Sequence, residues 1–285
     1  MRSDNRPRLA RQPSRPVAVL ALASAALAPL QAAPLAWVLN TNQNVEIVAL
    51  ASNTGGPIGN IGFASDSLAR APSGQLYAAD AFGNLWDVTA APIPVGPTGR
   101  TQIGDLDWAA NGLWGYANGS QELFFFDFGS SSVSYAQAIA LAPGAVVTGV
   151  AHQPSSGDVF LSTSLGLNND ALLRVPAAAT AAISVGTLTH GDSFSYVSDI
   201  DFDAAGTLYA MTWFHRWFYT VATGNAATSL VSTGPHRDTT AFALAPVPEP
   251  ASAALFGAGL ALMLSWAARG RRAAMGAIGR GMGKG

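Results

Sequence analysis

The chain has 285 residues, no cysteine and a formal net charge of −2 at neutral pH. Without a thiol it offers no disulfide, thiolate metal site or cysteine nucleophile, and its length suits one domain or one closed array of repeats. The near-neutral total conceals an asymmetry: residues 33–246 carry five arginines and no lysine against 15 acids, a net of −10, between two basic ends. Such an acidic body argues against nucleic acid or anionic lipid as its main partner.

Residues 1–32 read as a secretory signal peptide. Arg2, Arg6, Arg8, Arg11 and Arg15 precede an apolar stretch, Val17 to Leu30, that is too short to span a bilayer and is followed by small residues. Cleavage is expected after Ala32, and the absence of paired arginines points to the general secretory route.

From 33 to 246 the chain repeats itself. Leu68–Ala78 with Asn84–Val88, Leu106–Gly115 with Glu122–Asp127, Val150–Leu161 with Ala171–Val175, and Ile200–Ala210 with Trp217–Val221 share one plan. A short alternating strand leads into a tight turn with a glycine (Gly74, Gly112, Gly157, Gly206) suited to positive φ, then a strand opening on an aliphatic-aromatic pair, then a third strand. The pairs start at Leu76, Leu113, Val159 and Leu208, spacings of 37, 46 and 49 residues, which suit the blades of a β-propeller. Thr239–Leu244 resembles a first strand, whereas Leu35–Leu39 and Val45–Leu50 resemble second and third strands. Joining these ends makes a fifth blade and closes the ring without an exposed edge. An all-β, five-bladed propeller is therefore expected, with an open solenoid or a sandwich as the alternative fold.

Asp105 and Asp107 in the second unit match Asp199 and Asp201 in the fourth. The side-chain period of two puts each pair on one face of its strand. If that strand lines the central channel, the four carboxylates point into it and are the candidate metal ligands, with Ca²⁺ as the cation that oxygen ligands favour. The alternative is a structural role, bonding backbone amides. His152 with Asp199 is a candidate pair across the channel, but no Gly-x-Ser-x-Gly elbow or phosphate-binding glycine loop accompanies it. Trp213-Phe-His-Arg-Trp-Phe-Tyr219 is the densest aromatic run. Trp213, His215 and Trp217 are its candidate ligand-binding residues, since aromatic faces separated by a polar residue can stack on sugar rings; packing between blades is the competing reading, with Arg216 at a loop.

Residues 247–272 form a separate unit. Val247-Pro248-Glu249-Pro250 keeps the backbone extended, an uncharged 16-residue run follows from 253 to 268, and Arg269, Arg271 and Arg272 resist translocation. As a helix the run covers roughly 24 Å, short of the roughly 30 Å of a comfortable span, so it suits brief insertion better than lasting anchorage. Residues 273–285 form a basic tail.

On Pro248-Glu249-Pro250, the short span and the arginine cluster, in that order, the last 40 or so residues resemble the PEP-CTERM sorting domain. The long tail after Arg272 departs from that pattern. The resemblance implies an exported protein recognised by exosortase, a membrane-embedded protease or transpeptidase of Gram-negative bacteria that make extracellular polysaccharide. The expectation is a non-catalytic protein, tethered briefly to the inner membrane, then placed at the cell surface or in the matrix, with exopolysaccharide as a candidate partner. The alternative is a secreted propeller hydrolase of the lactonase or esterase type with a divalent metal in its channel.

Overall fold

Stretches of alternating apolar and polar residues, broken by turn residues, pair with their neighbours in sequence and build five four-stranded antiparallel sheets. The computed structural model describes residues 34–244. The signal stretch, the Val247–Pro250 motif, the span at 253–268 and the arginine stop lie outside the described residues. Among the described residues no helix is long and apolar enough to cross a membrane.

Blade 1 contains β1 (Leu35–Asn40), β2 (Asn44–Ala49) and β3 (Thr54–Asn60). Blade 2 follows with β4 (Ala69–Arg70), β5 (Leu76–Ala79), β6 (Asn84–Asp87) and β7 (Ile93–Pro97). Blade 3 comprises β8 (Ile103–Ala109), β9 (Gly112–Ala117), β10 (Glu122–Asp127) and β11 (Ser132–Ala138). Blade 4 comprises β12 (Val146–His152), β13 (Val159–Ser164), β14 (Asp170–Val175) and β15 (Ile183–Leu188). Blade 5 comprises β16 (Val197–Phe202), β17 (Leu208–Thr212), β18 (Phe218–Val221) and β19 (Thr228–Ser232). The last strand, β20 (Thr239–Leu244), returns to blade 1 and pairs with β1, setting Val38 opposite Phe242 and Trp37 opposite Ala243. The ring closes as the two half-units at the chain ends predict, and the fold is a five-bladed β-propeller.

The core lies in the seams. Five buried clusters occur, and each joins two consecutive blades: Phe124 and Phe126 with Leu85 and Ala69, for instance, or Phe218 and Met211 with Phe242 and Val48. Each fully buried Leu or Phe contributes roughly 1.5–3 kcal/mol, so the ring is held mainly by what one blade buries against the next.

The repeated units show three strands each, whereas every blade has four. The outermost strands carry Gly-Gly-Pro in β3 and Ile-Pro-Val-Gly-Pro in β7, and β3 is exposed throughout. An outer strand buries little, so nothing imposes an apolar alternation on it, and proline is tolerated at a sheet edge. The turn glycines Gly74, Gly157 and Gly206 do take positive φ (97°, 76° and 82°). Gly112 does not: Ala110 takes the left-handed conformation (φ 51°), and Gly112 is needed because a Cβ there would lie 2.2 Å from the Phe126 carbonyl oxygen.

The innermost strands are β20, β4, β8, β12 and β16. Their first residues, together with the turns joining second to third strands, gather on one face of the ring. This is the mouth face.

Candidate functional site: the channel acids and the mouth cavity

An innermost strand has one edge paired within its blade and one edge facing the channel, where its N–H groups need acceptors. Asp105 and Asp107 on β8 supply them to the next blade. The Val150 N–H donates to Asp105 Oδ2 (2.7 Å) and the His152 N–H to Asp107 Oδ2 (2.5 Å). On β16 the same device acts on the closing strand, with the Phe242 N–H donating to Asp199 Oδ2 (2.6 Å) and the Leu244 N–H to Asp201 Oδ2 (2.7 Å). The other oxygens of Asp107 and Asp199 accept the N–H groups of Trp108 and Ile200.

Blades 3 and 5 flank blade 4, and their acids meet in front of it. Gly149 of β12 makes the approach possible, since a Cβ there would lie 2.6 Å from the Ile200 nitrogen and 2.9 Å from Asp199 Cα. Asp105 and Asp199 lie close enough for their charges to act on each other, and Asp105 Oδ1 is buried with no hydrogen-bond partner. Burial, and for Asp199 then the nearby charge of Asp105, hold both well above the ordinary carboxylate range. Burial pushes Asp107 up to about 7, and burial followed by the Asp107 charge raises Asp201.

These four are the residues read as candidate metal ligands. Six of their oxygens accept backbone N–H groups, which does not fit the six to eight free oxygen ligands of a Ca²⁺ site. Among the described residues no group of three or more His, Asp or Glu side chains is placed to hold a metal ion.

Above the acids the channel opens into a cavity of about 640 Å³ on the mouth face. All five blades line it: Thr240 from blade 1, Asp66 and Asp80 from blade 2, Asn118 from blade 3, Ser164 from blade 4 and Tyr196 from blade 5. Asn118 mimics a strand, accepting the Val147 N–H (2.8 Å) and donating to its carbonyl (2.9 Å). Burial alone would raise Asp80, but donation from Asn84, Trp86 and the Phe82 amide wins and holds it below the ordinary range. Asp66 is open to solvent yet enclosed by the concave wall, and that partial desolvation raises its carboxyl.

The turn from β17 to β18 brings Trp213, His215 and Trp217 to this same face, each half-buried. Trp213 stacks on Tyr196 (5.5 Å between centroids, 10° between planes), which links the turn to the cavity. His215 Nδ1 meets Asp192 Oδ1 at 2.8 Å, and Phe214 sits edge-on to His236 at 3.8 Å. Trp217 packs partly against the core between blades 4 and 5.

Arg216 lies in this turn as the sequence places it, but it is buried rather than exposed on a loop. With φ at 50°, it sends its guanidinium across the seam to blade 1. There Nη1 donates to Glu46 Oε2 (2.8 Å) and Nε to Asn53 Oδ1 (2.8 Å). Arg237 also pairs with Glu46. Nothing in the local sequence marks this contact, because its partners stand more than 160 residues away. His152 lines an outer groove with Trp114, Phe125 and Tyr135, away from the Asp199 carboxyl that sequence alone could pair with it.

No protein-family model matches the chain, and no curated protein matches it. Among solved structures, the chain is similar to one from the crystal structure of a nidogen/laminin complex. The TM-score is 0.52 at 9% identity, covering 74% of this chain and 98% of that one. At that identity the likeness shows the fold alone. Fold and site together define a five-bladed β-propeller with a cavity over a channel lined by buried carboxyls.

Proposed function

We propose that this protein is an exported surface or matrix component that acts by binding rather than by catalysis. In this reading residues 1–32 direct export, and residues 247–272 are recognised by an exosortase-like protease that releases or transfers the propeller at the cell surface. Exopolysaccharide is its partner there.

The observation that carries the binding reading is the grouping of Trp213, His215 and Trp217 with Tyr196 at one place on the mouth face. Half-exposed aromatic faces beside hydrogen-bonding groups are what a sugar ring stacks on.

Intact mass of the protein from its producing host, with and without the sorting protease, tests the sorting half. Loss of everything beyond the Pro248–Pro250 region only when the protease is present is the expected result. An unprocessed terminus at Gly285 in both strains would overturn it. Retention on the host's own exopolysaccharide tests the binding half: Trp213→Ala should abolish it with the melting curve unchanged, and unaltered retention would overturn the assignment.

A further inference from the structure

Nine of the eleven large exposed apolar side chains among the described residues fall into two groups, Leu35 and Val146 standing apart. Ile58, Ile93, Tyr135, Ile183 and Leu230 stand one on each outermost strand, spread singly around the ring. Phe82, Leu165, Leu167 and Phe194, by contrast, all sit on loops of the mouth face, exposed by 79, 47, 57 and 67%. Leu167 and Phe194 belong to different blades but are held side by side: Asn168 donates from its backbone to the Ser195 carbonyl (3.0 Å) and from its side chain to that of Ser193 (2.7 Å). Leu165 lines the cavity itself, and Phe82 follows the lining residues Asp80 and Ala81 on the opposite side. The cavity therefore has an apolar rim.

Within that rim the charge is of one sign. Asp66 lines the cavity, and no lysine or arginine does. Asp170 stands behind the wall, 1% exposed, with Oδ2 accepting the Val197 N–H and lying 2.8 Å from His190 Nε2, and with Oδ1 buried without a partner. Asp238 Oδ1 is likewise buried and unpartnered. The fields of Asp66, Asp170 and Asp238 converge on Tyr196 in the cavity wall; together with burial, the larger cause, they push its phenol up to about 12. Arg100, Arg216 and Arg237 are engaged elsewhere, with Glu122 and Glu46.

We propose that the channel mouth is a docking site for a protein segment presenting one lysine or arginine between apolar residues. The apolar flanks cover Phe82, Leu165, Leu167 and Phe194, and the cation enters the cavity beside Asp66 and Tyr196. Charge complementarity selects this occupant. An apolar rim alone suits any apolar surface, but a lining that carries Asp66 and Asp80 and no lysine, arginine or histidine favours a positive group at its centre. A second propeller body, at a net charge of −10, would meet repulsion across such an interface. This site lies beside the aromatic turn assigned to polysaccharide and stands or falls independently of it.

The test uses the protein as secreted by its host and two short capped peptides, one with a central Leu-Lys-Leu and one with acetyl-lysine in place of the lysine. Calorimetry should show the lysine peptide binding about tenfold or more tightly than its acetylated counterpart, with the advantage shrinking as salt rises. Asp66→Asn should erase the difference between the peptides, whereas Phe194→Ser should weaken both alike. Both positions lie in loops, so the melting curve serves as a check on folding. Equal affinity for the two peptides, or no binding of either, would overturn the proposal. So would self-association of the wild type that Phe194→Ser abolishes, since the rim would then be covered by a second copy.

Discussion

The seams of the ring are closed by two different kinds of chemistry. Between blades 3 and 4, and between blades 5 and 1, paired buried aspartates hold the N–H groups of the next inner strand. At the blade 1–2 seam the Arg70 guanidinium lies over the Trp37 ring at 4.3 Å, and at the blade 2–3 seam Tyr77 packs on Trp108 and Phe128. A carboxylate can reach a neighbouring strand only where that strand offers no bulk, and the receiving strands carry Gly149 and Ala151, or Ala241 and Ala243, beside the bonded amides. The stapled seams gain specific geometry but bury charge. The aromatic seams gain apolar contact and are indifferent to protonation.

The largest test of that contrast is Arg216, which ties blade 5 to blade 1 next to the Asp199 and Asp201 staples. Arg216→Met leaves Glu46 buried with only Arg237 and strips Asn53 Oδ1 of its donor, and should cost about 3–5 kcal/mol in chemical denaturation. A loss below about 1 kcal/mol would mean that the staples alone hold this seam.

Next in size is the effect of pH. Asp105, Asp107, Asp199 and Asp201 all titrate above the ordinary range in the folded protein. The folded chain therefore keeps protons that the unfolded chain has lost. Their stabilising contribution is full below the unfolded value of about 4 and is lost as pH rises through the folded values, about 7 for Asp107. The melting temperature should fall by about 5 °C or more between pH 5 and pH 8. Asp199→Asn supplies an acceptor for the Phe242 amide and a donor for Asp105 without a charge, so it should flatten that dependence. A dependence as steep as the wild type's would show that Asp199 has no part in it.

Gly149→Ala sharpens the point about bulk. Its Cβ would press on Asp199 Cα and the Ile200 nitrogen, and it should cost about 1–3 kcal/mol and disturb the pH profile as well. The smallest effect belongs to the unstapled seam: Arg70→Lys should lose about 0.5–1 kcal/mol, with the pH profile unchanged.

Much of the fold was legible because the inner and middle strands do the burying. Leu76-Tyr77, Leu113-Trp114, Val159-Phe160 and Leu208-Tyr209 recur because each opens a second strand, and five of those eight side chains are at most 2% exposed. The fourth strands escaped notice because exposed edge strands are free of that demand. At the mouth, Trp213, His215 and Trp217 were found by their density in the sequence. Asp66, Asn118 and Tyr196 were not, since each belongs to a different blade and none carries a local pattern.

By itself the sequence determined the class of strand, the number of units and the joining of the chain ends, because a period of two and a recurring turn are local properties of consecutive residues. It also placed the four aspartates on one face of matching strands. Only the tertiary structure decided what those aspartates do. Whether a carboxylate binds a cation, a neighbouring amide or another carboxyl depends on what lies within about 3 Å of its oxygens, and here those groups come from residues more than 40 positions further along the chain.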